Sequence, residues 1–203
     1  MFRCAVLATS IVALTVAVAA SADSGVAPPH HLLRQLSKQP FDARRLPAGI
    51  TLTSVCASPA QRRCANRVPG ASGRVLAAFD APSQAVVVYT IFPDAATARA
   101  WFRGKGQSPQ FSFWRLKQLD VESLPHPRIS GRVPGFADSV IVESSGHLKL
   151  YLTGTTSANV LSENVIVNAT TGSDSSTQHG NRVLALKLLK AAIAHLNAAR
   201  TSR

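Results

Sequence analysis

The stretch Ser162 to Leu196, SENVIVNATTGSDSSTQHGNRVLALKLLKAAIAHL, decides the fold. Asn164 to Thr171 is β-branched and apolar enough for a buried strand, and the Gly, Ser, Asp and Thr run from Gly172 to Gly180 must end it. A long amphipathic helix is predicted next. Val183, Leu186, Leu189, Ile193 and Leu196 recur at helical spacing, with Leu184, Leu188 and Ala192 widening the stripe and Lys187, Lys190 and Asn197 on the other side. A helix with so broad an apolar stripe has to cover a sheet, so other strands must complete that sheet.

Upstream, Ser139-Val140-Ile141-Val142-Glu143 and Leu148-Lys149-Leu150-Tyr151-Leu152 read as a hairpin turned at Gly146, and Thr155 to Ser162 reads as the connection to the central strand. A second hairpin pairs Arg74 to Phe79 with Gln84 to Phe92 through the turn Asp80-Ala81-Pro82-Ser83. Asp94 is placed to cap a helix from Ala95 to Arg103 that turns Ala98, Trp101 and Phe102 to the sheet and stops at Gly104. Ile50 to Val55 alternates as a further strand, and a short helix spans His30 to Lys38 before Pro40. Gly104 to Gly135 is the least regular part, with Pro125, Pro127 and Pro134 marking a loop. The expected fold class is therefore α+β, an antiparallel or mixed sheet of about five to six strands with helices packed on one face.

The first residues read differently. Arg3 supplies a positive charge, Ala5 to Ala19 is an apolar run, and Ala20-Ser21-Ala22 is a small-x-small cleavage signal, so residues 1–22 are expected to be a signal peptide. A cut after Ala19 fits nearly as well, and a retained anchor is the competing reading, although the run is short for a spanning helix. Residues 23–49 then form an N-terminal extension carrying the short helix, and residues 50–203 a single domain. No second apolar run of membrane length follows. Cys4 leaves with the signal, and Cys56 and Cys64 are expected to pair in one disulfide, as suits a secreted or extracytoplasmic chain.

The formal charge of +12 in 203 residues is strongly basic, and most of the basic residues are Arg. Such a surface either serves solubility or meets an anionic partner: an envelope polymer, an acidic lipid head group or another acidic ligand, with nucleic acid unsupported by any motif. The candidate binding residues are Arg62, Arg63, Arg67 and Arg74 around the disulfide loop, and Trp114 with Arg115, where an aromatic ring stands beside a guanidinium.

Catalytic signatures are weak. There is no Gly-x-Ser-x-Gly elbow, and Gly104-Lys105-Gly106 lacks the Walker spacing. Cys56 and Cys64 match no zinc spacing, so neither a metal nor a cofactor is expected. His126, His147, His179 and His195 are scattered, which leaves a basic hydrolase such as a nuclease as the alternative, and an inhibitor or adhesion protein acting through the disulfide loop as a third reading. Asn168-Ala169-Thr170 is a glycosylation sequon inside an expected strand.

Val88 to Ala98, the turn Pro134-Gly135-Phe136-Ala137-Asp138, and Asn164 to Val167 before an Ala- and Leu-rich terminal helix resemble the small exported α/β proteins of actinobacterial cell envelopes. That group includes extracellular sensor domains of some membrane kinases. The resemblance spans residues 74–199 and departs from the sensor domains in having one expected disulfide and no kinase part. It implies a non-catalytic, envelope-associated binding role for an anionic or amphipathic ligand.

Overall fold

The structure, a computed structural model, describes residues 27–58, 68–80, 85–106, 128–148, 151–173 and 178–202. Among these, seven strands form one sheet in the order β1-β2-β3-β7-β6-β5-β4. The strands are β1 (Thr51–Ser58), β2 (Gly73–Asp80), β3 (Ala85–Ile91), β4 (Arg128–Gly131), β5 (Ser139–Leu148), β6 (Tyr151–Ser162) and β7 (Val165–Ser173). Every pairing is antiparallel. Two meanders, β1–β3 and β4–β7, meet where β3 runs beside β7 from Ala85↔Thr171 to Ile91↔Val165. Asn164 extends that seam, since its carbonyl accepts from Phe92 N at 2.8 Å and its amide donates to Phe92 O at 3.0 Å.

Three expectations are corrected at the strands. Five to six strands become seven because β4 lies in the segment read as a proline loop and β6 in the segment read as a connection. Gly146 does not turn the hairpin; it sits inside β5 opposite Thr153, and pairing continues to Leu148↔Tyr151. Thr155 to Ser162 is no connector but the greater part of β6, paired on both sides.

The helices are α1 (Pro29–Lys38), α2 (Ala95–Trp101) and α3 (Gln178–Thr201). They were expected on one face, and they occupy both. Leu32 and Leu36 of α1 and Leu188, Leu189 and Leu196 of α3 share one core with Val75, Val87, Tyr89 and Val167. The alternate residues Ile166, Val140 and Val142 point the other way and pack with Ala98 and Phe102 at α2. The cause is in the strands: Val86 to Tyr89, Val140 to Val142 and Val165 to Val167 are continuous apolar runs, which need cover on both sides. As expected, Asp94 caps α2, accepting from Thr97 N at 2.7 Å and from Thr97 Oγ1 at 2.8 Å.

α3 turns most of the expected stripe inward, with Leu184, Leu186 and Ile193 packed at its margins, and departs from it at Val183. Ala185, Leu188, Leu189, Ala192, Leu196 and Ala199 are buried, whereas Val183 is 45% exposed. Val183 precedes Ala185 by two residues, about 200° around the helix, and so faces away from the sheet. Arg200 then clamps the last turn to the β6–β7 turn, donating to Ser162 Oγ at 3.0 Å and to Ser162 O at 2.8 Å and pairing with Glu163 at 3.2 Å. Gly73 is required by close approach, because a Cβ there would lie 2.8 Å from Ser58 O and 2.9 Å from Leu33 Cδ1.

His195 ties these layers together. Its Nε2 lies 3.0 Å from Gln39 O, just past α1, and its Nδ1 lies 3.0 Å from the Tyr89 hydroxyl on β3, which is also 3.1 Å from Ala192 O. Phe41 stacks on the ring at 4.1 Å. Burial lowers the His195 pKa from 6.5, partly offset by the Gln39 carbonyl, and raises that of Tyr89. As the pH falls below 6.5 the unfolded chain takes up the His195 proton first, so this residue's stabilising contribution, complete above 6.5, is lost toward lower pH. In urea titrations His195→Asn is expected to be about 1–3 kcal/mol less stable than wild type at pH 8. That gap should narrow as the pH drops below 6.5, and a constant gap would remove His195 as the titrating group.

Candidate functional site

β6 and β7 are inner strands of the sheet, yet they carry a row of polar side chains on the face away from α1 and α3. Ser157 and Asn159 of β6 lie opposite Thr170 and Asn168 of β7. Spacing of two on each strand places all four on one face, that of Ile166. Asn159 and Ser157 are fully buried and Asn168 nearly so.

The hydrogen bonds have a direction. Asn168 Nδ2 donates to Asn159 Oδ1 at 2.6 Å, and Thr170 Oγ1 donates to Asn168 Oδ1 at 3.0 Å. With its single proton so used, Thr170 must accept from Ser157 Oγ. The chain therefore runs from the Ser157 hydroxyl to the Asn159 amide N–H groups at its donor end. Val86 and Val88 of β3 flank the row on one side and Val140 and Val142 of β5 on the other. The row is thus a buried strip of hydroxyls and amides between two pairs of valines.

Arg74 shares this face. It is half-buried at the start of β2, opposite Ser58 and Thr90, and Thr90 is in turn opposite Ile166. It stands two strands from β7, level with Ile166 and one same-face position before Asn168. Cys56, also on this face, is disulfide-bonded. Its expected partner Cys64 lies outside the described residues, as do Arg62, Arg63, Arg67, Trp114, Arg115 and residues 1–22. Val68, immediately after Arg67, is buried with Phe92, Ala98 and Phe102 on the second face.

The opposite face holds a different polar group. Glu143 on β5, nearly buried, pairs with Arg182 of α3 at 3.6 Å and lies opposite Thr156, whose buried hydroxyl has no hydrogen-bond partner among the described residues. His195 is consumed by the Tyr89 and Gln39 contacts of the core, which removes it from the catalytic candidates. His126 lies outside the described residues, His147 is in β5 opposite Leu152, and His179 is in the first turn of α3. Among the described residues no group of three or more His, Cys, Asp and Glu is arranged to hold a metal, and no helix is long and apolar enough to cross a membrane. Asn168 spends its amide inside the sheet, so the sequon is not an exposed acceptor.

No protein family matches the sequence, and no curated protein matches it at a significant level. Among solved structures the chain is similar to the extracellular domain of PknH from Mycobacterium tuberculosis, at 12% identity and a TM-score of 0.41, over 72% of this chain and 86% of that one. A TM-score of 0.41 is too slight a likeness to carry that domain's fold or role over to this chain.

The four polar residues were not singled out from the sequence. The available signal was polar residues two apart in each of two stretches, Ser157/Asn159 and Asn168/Thr170, which puts each pair on one face of a strand. Replacing Asn168 alone by Leu leaves Asn159 Oδ1 buried without its donor and is expected to cost about 1–3 kcal/mol in chemical denaturation. A loss below a few tenths would mean that the amide pair carries no weight.

Proposed function

We infer that the protein is an exported, non-catalytic binding domain that holds an amphipathic ligand with an anionic head against the polar row of β6 and β7. The observation that carries this reading is the Ser157–Thr170–Asn168–Asn159 chain between valine walls. Arg74 on the same face supplies charge for the anionic group. Arg62, Arg63 and Arg67 belong to the β1–β2 connection that leads into Arg74, and Trp114 and Arg115 to the one between α2 and β4; both sets extend the site in this proposal. The signal-like residues 1–22, the Cys56–Cys64 pairing and the basic charge support an envelope-associated, extracytoplasmic setting.

Native mass spectrometry of the chain purified from its host's secreted fraction is expected to show added mass that disappears on denaturation. Arg74→Gln and the near-isosteric Thr170→Val should each lower that occupancy about tenfold, from the loss of one charged or one polar contact. Their thermal midpoints should stay within several degrees of wild type. A bare chain in the wild type, or unchanged occupancy in both variants, would overturn the reading.

A further inference from the structure

Neither α1 nor α3 contains a single Asp or Glu. Among the described residues these two helices cover one face of the sheet, and their charged residues are all basic. On α1 the row His30, Arg34 and Lys38 is exposed, opposite the buried Leu32 and Leu36. On α3 the corresponding outward row is Val183, Lys187 and Lys190, opposite the buried Leu188, Leu189 and Ala192. Among the described residues, Asp42 pairs with Arg45, Glu163 with Arg200, and Glu143 with Arg182 beneath the helix.

Val183 makes this more than a solvated charge pattern. It and Ile129 are the exposed large hydrophobic residues of the described chain, and Val183 stands in line with two lysines four and seven residues on. An apolar residue among cations on an outward helical face suits the boundary of a lipid bilayer, where the side chain enters the interface and the ammonium groups meet phosphate. A soluble polyanion would reward the lysines and leave Val183 in water.

We propose that the α1–α3 face is a docking surface for a bilayer containing acidic phospholipid, with Arg34, Lys38, Lys187 and Lys190 on the head groups and Val183 in the interface. Docked in this way, the protein turns the opposite face of the sheet, with its polar row and Arg74, away from the lipid.

The test is flotation of the full exported chain with vesicles of phosphatidylcholine alone and with about one-third phosphatidylglycerol. Binding is expected only with the acidic lipid and should weaken steeply with salt. A contribution typical of a lysine near an acidic surface corresponds to about fivefold in affinity, so Lys187→Gln/Lys190→Gln should lose roughly 25-fold. Val183→Ser should lose several-fold with the salt dependence unchanged. Arg99→Gln/Arg103→Gln, exposed at α2 on the other face, should bind as wild type. All these positions are exposed, and circular dichroism checks that the variants remain folded. The proposal is overturned by no binding to acidic vesicles at low salt, by equal losses in the α2 and α3 variants, or by tight binding of a soluble polyanion without vesicle binding.

Discussion

The Asn159–Asn168 amide pair lies in the middle of a sheet covered on both faces, and much of the molecule is arranged around keeping it satisfied. A buried amide without partners costs about 1–3 kcal/mol, a large share of a domain's net stability. The pair therefore fixes the register of β6 on β7. A slip of β6 by one residue would turn Asn159 into the core that holds Leu188 and Leu196, leave Asn168 without its acceptor, and turn Ala158 toward the other face. Because β7 also pairs with β3, the same register aligns the first meander with the second.

From that seam the two faces diverge in chemistry. Under α1 and α3 the sheet presents valine, alanine and tyrosine, and alanines at Ala185, Ala192 and Ala199 allow the long helix to lie close upon it. His195 and Arg200 lock the helix at two places, one through neutral hydrogen bonds in the core and one through a guanidinium at the surface. On the other face α2 covers Ile166, Val140 and Val142, and the polar row lies between valines of β3 and β5. A fold that needed only stability would gain by filling those four positions with apolar residues, since exchanging both partners of a buried hydrogen bond for apolar groups is close to neutral or better. Their polar character is the observation on which the proposed binding role rests.

Much of the architecture was legible in the residues. The β2–β3 hairpin, the Asp94 cap and the existence of α1, α2 and α3 follow from alternation, capping chemistry and helical periodicity, which are local signals. What escaped was set by tertiary context. Thr155-Thr156-Ser157-Ala158-Asn159 has the composition of a loop, and only partners on both sides make it the core of β6. Arg128–Gly131 is short and lies among prolines, so β4 exists only through its pairing with β5. The stripe of α3 follows from its periodicity except at its start, where ranking by hydrophobicity favours Val183 over Ala185 and packing on the sheet buries the smaller residue. Of the binding residues read from the sequence, Arg74 alone falls among the described residues, and the polar row on its face is visible only once β6 and β7 are side by side.

The most direct test of a polar row kept for a ligand rather than for the fold is the double replacement Asn159→Leu/Asn168→Leu, read by thermal unfolding and native mass spectrometry together. The account predicts a folded protein with a midpoint equal to or above that of wild type and no retained ligand mass. A double variant that fails to fold, or one that folds and keeps its bound mass, would contradict it.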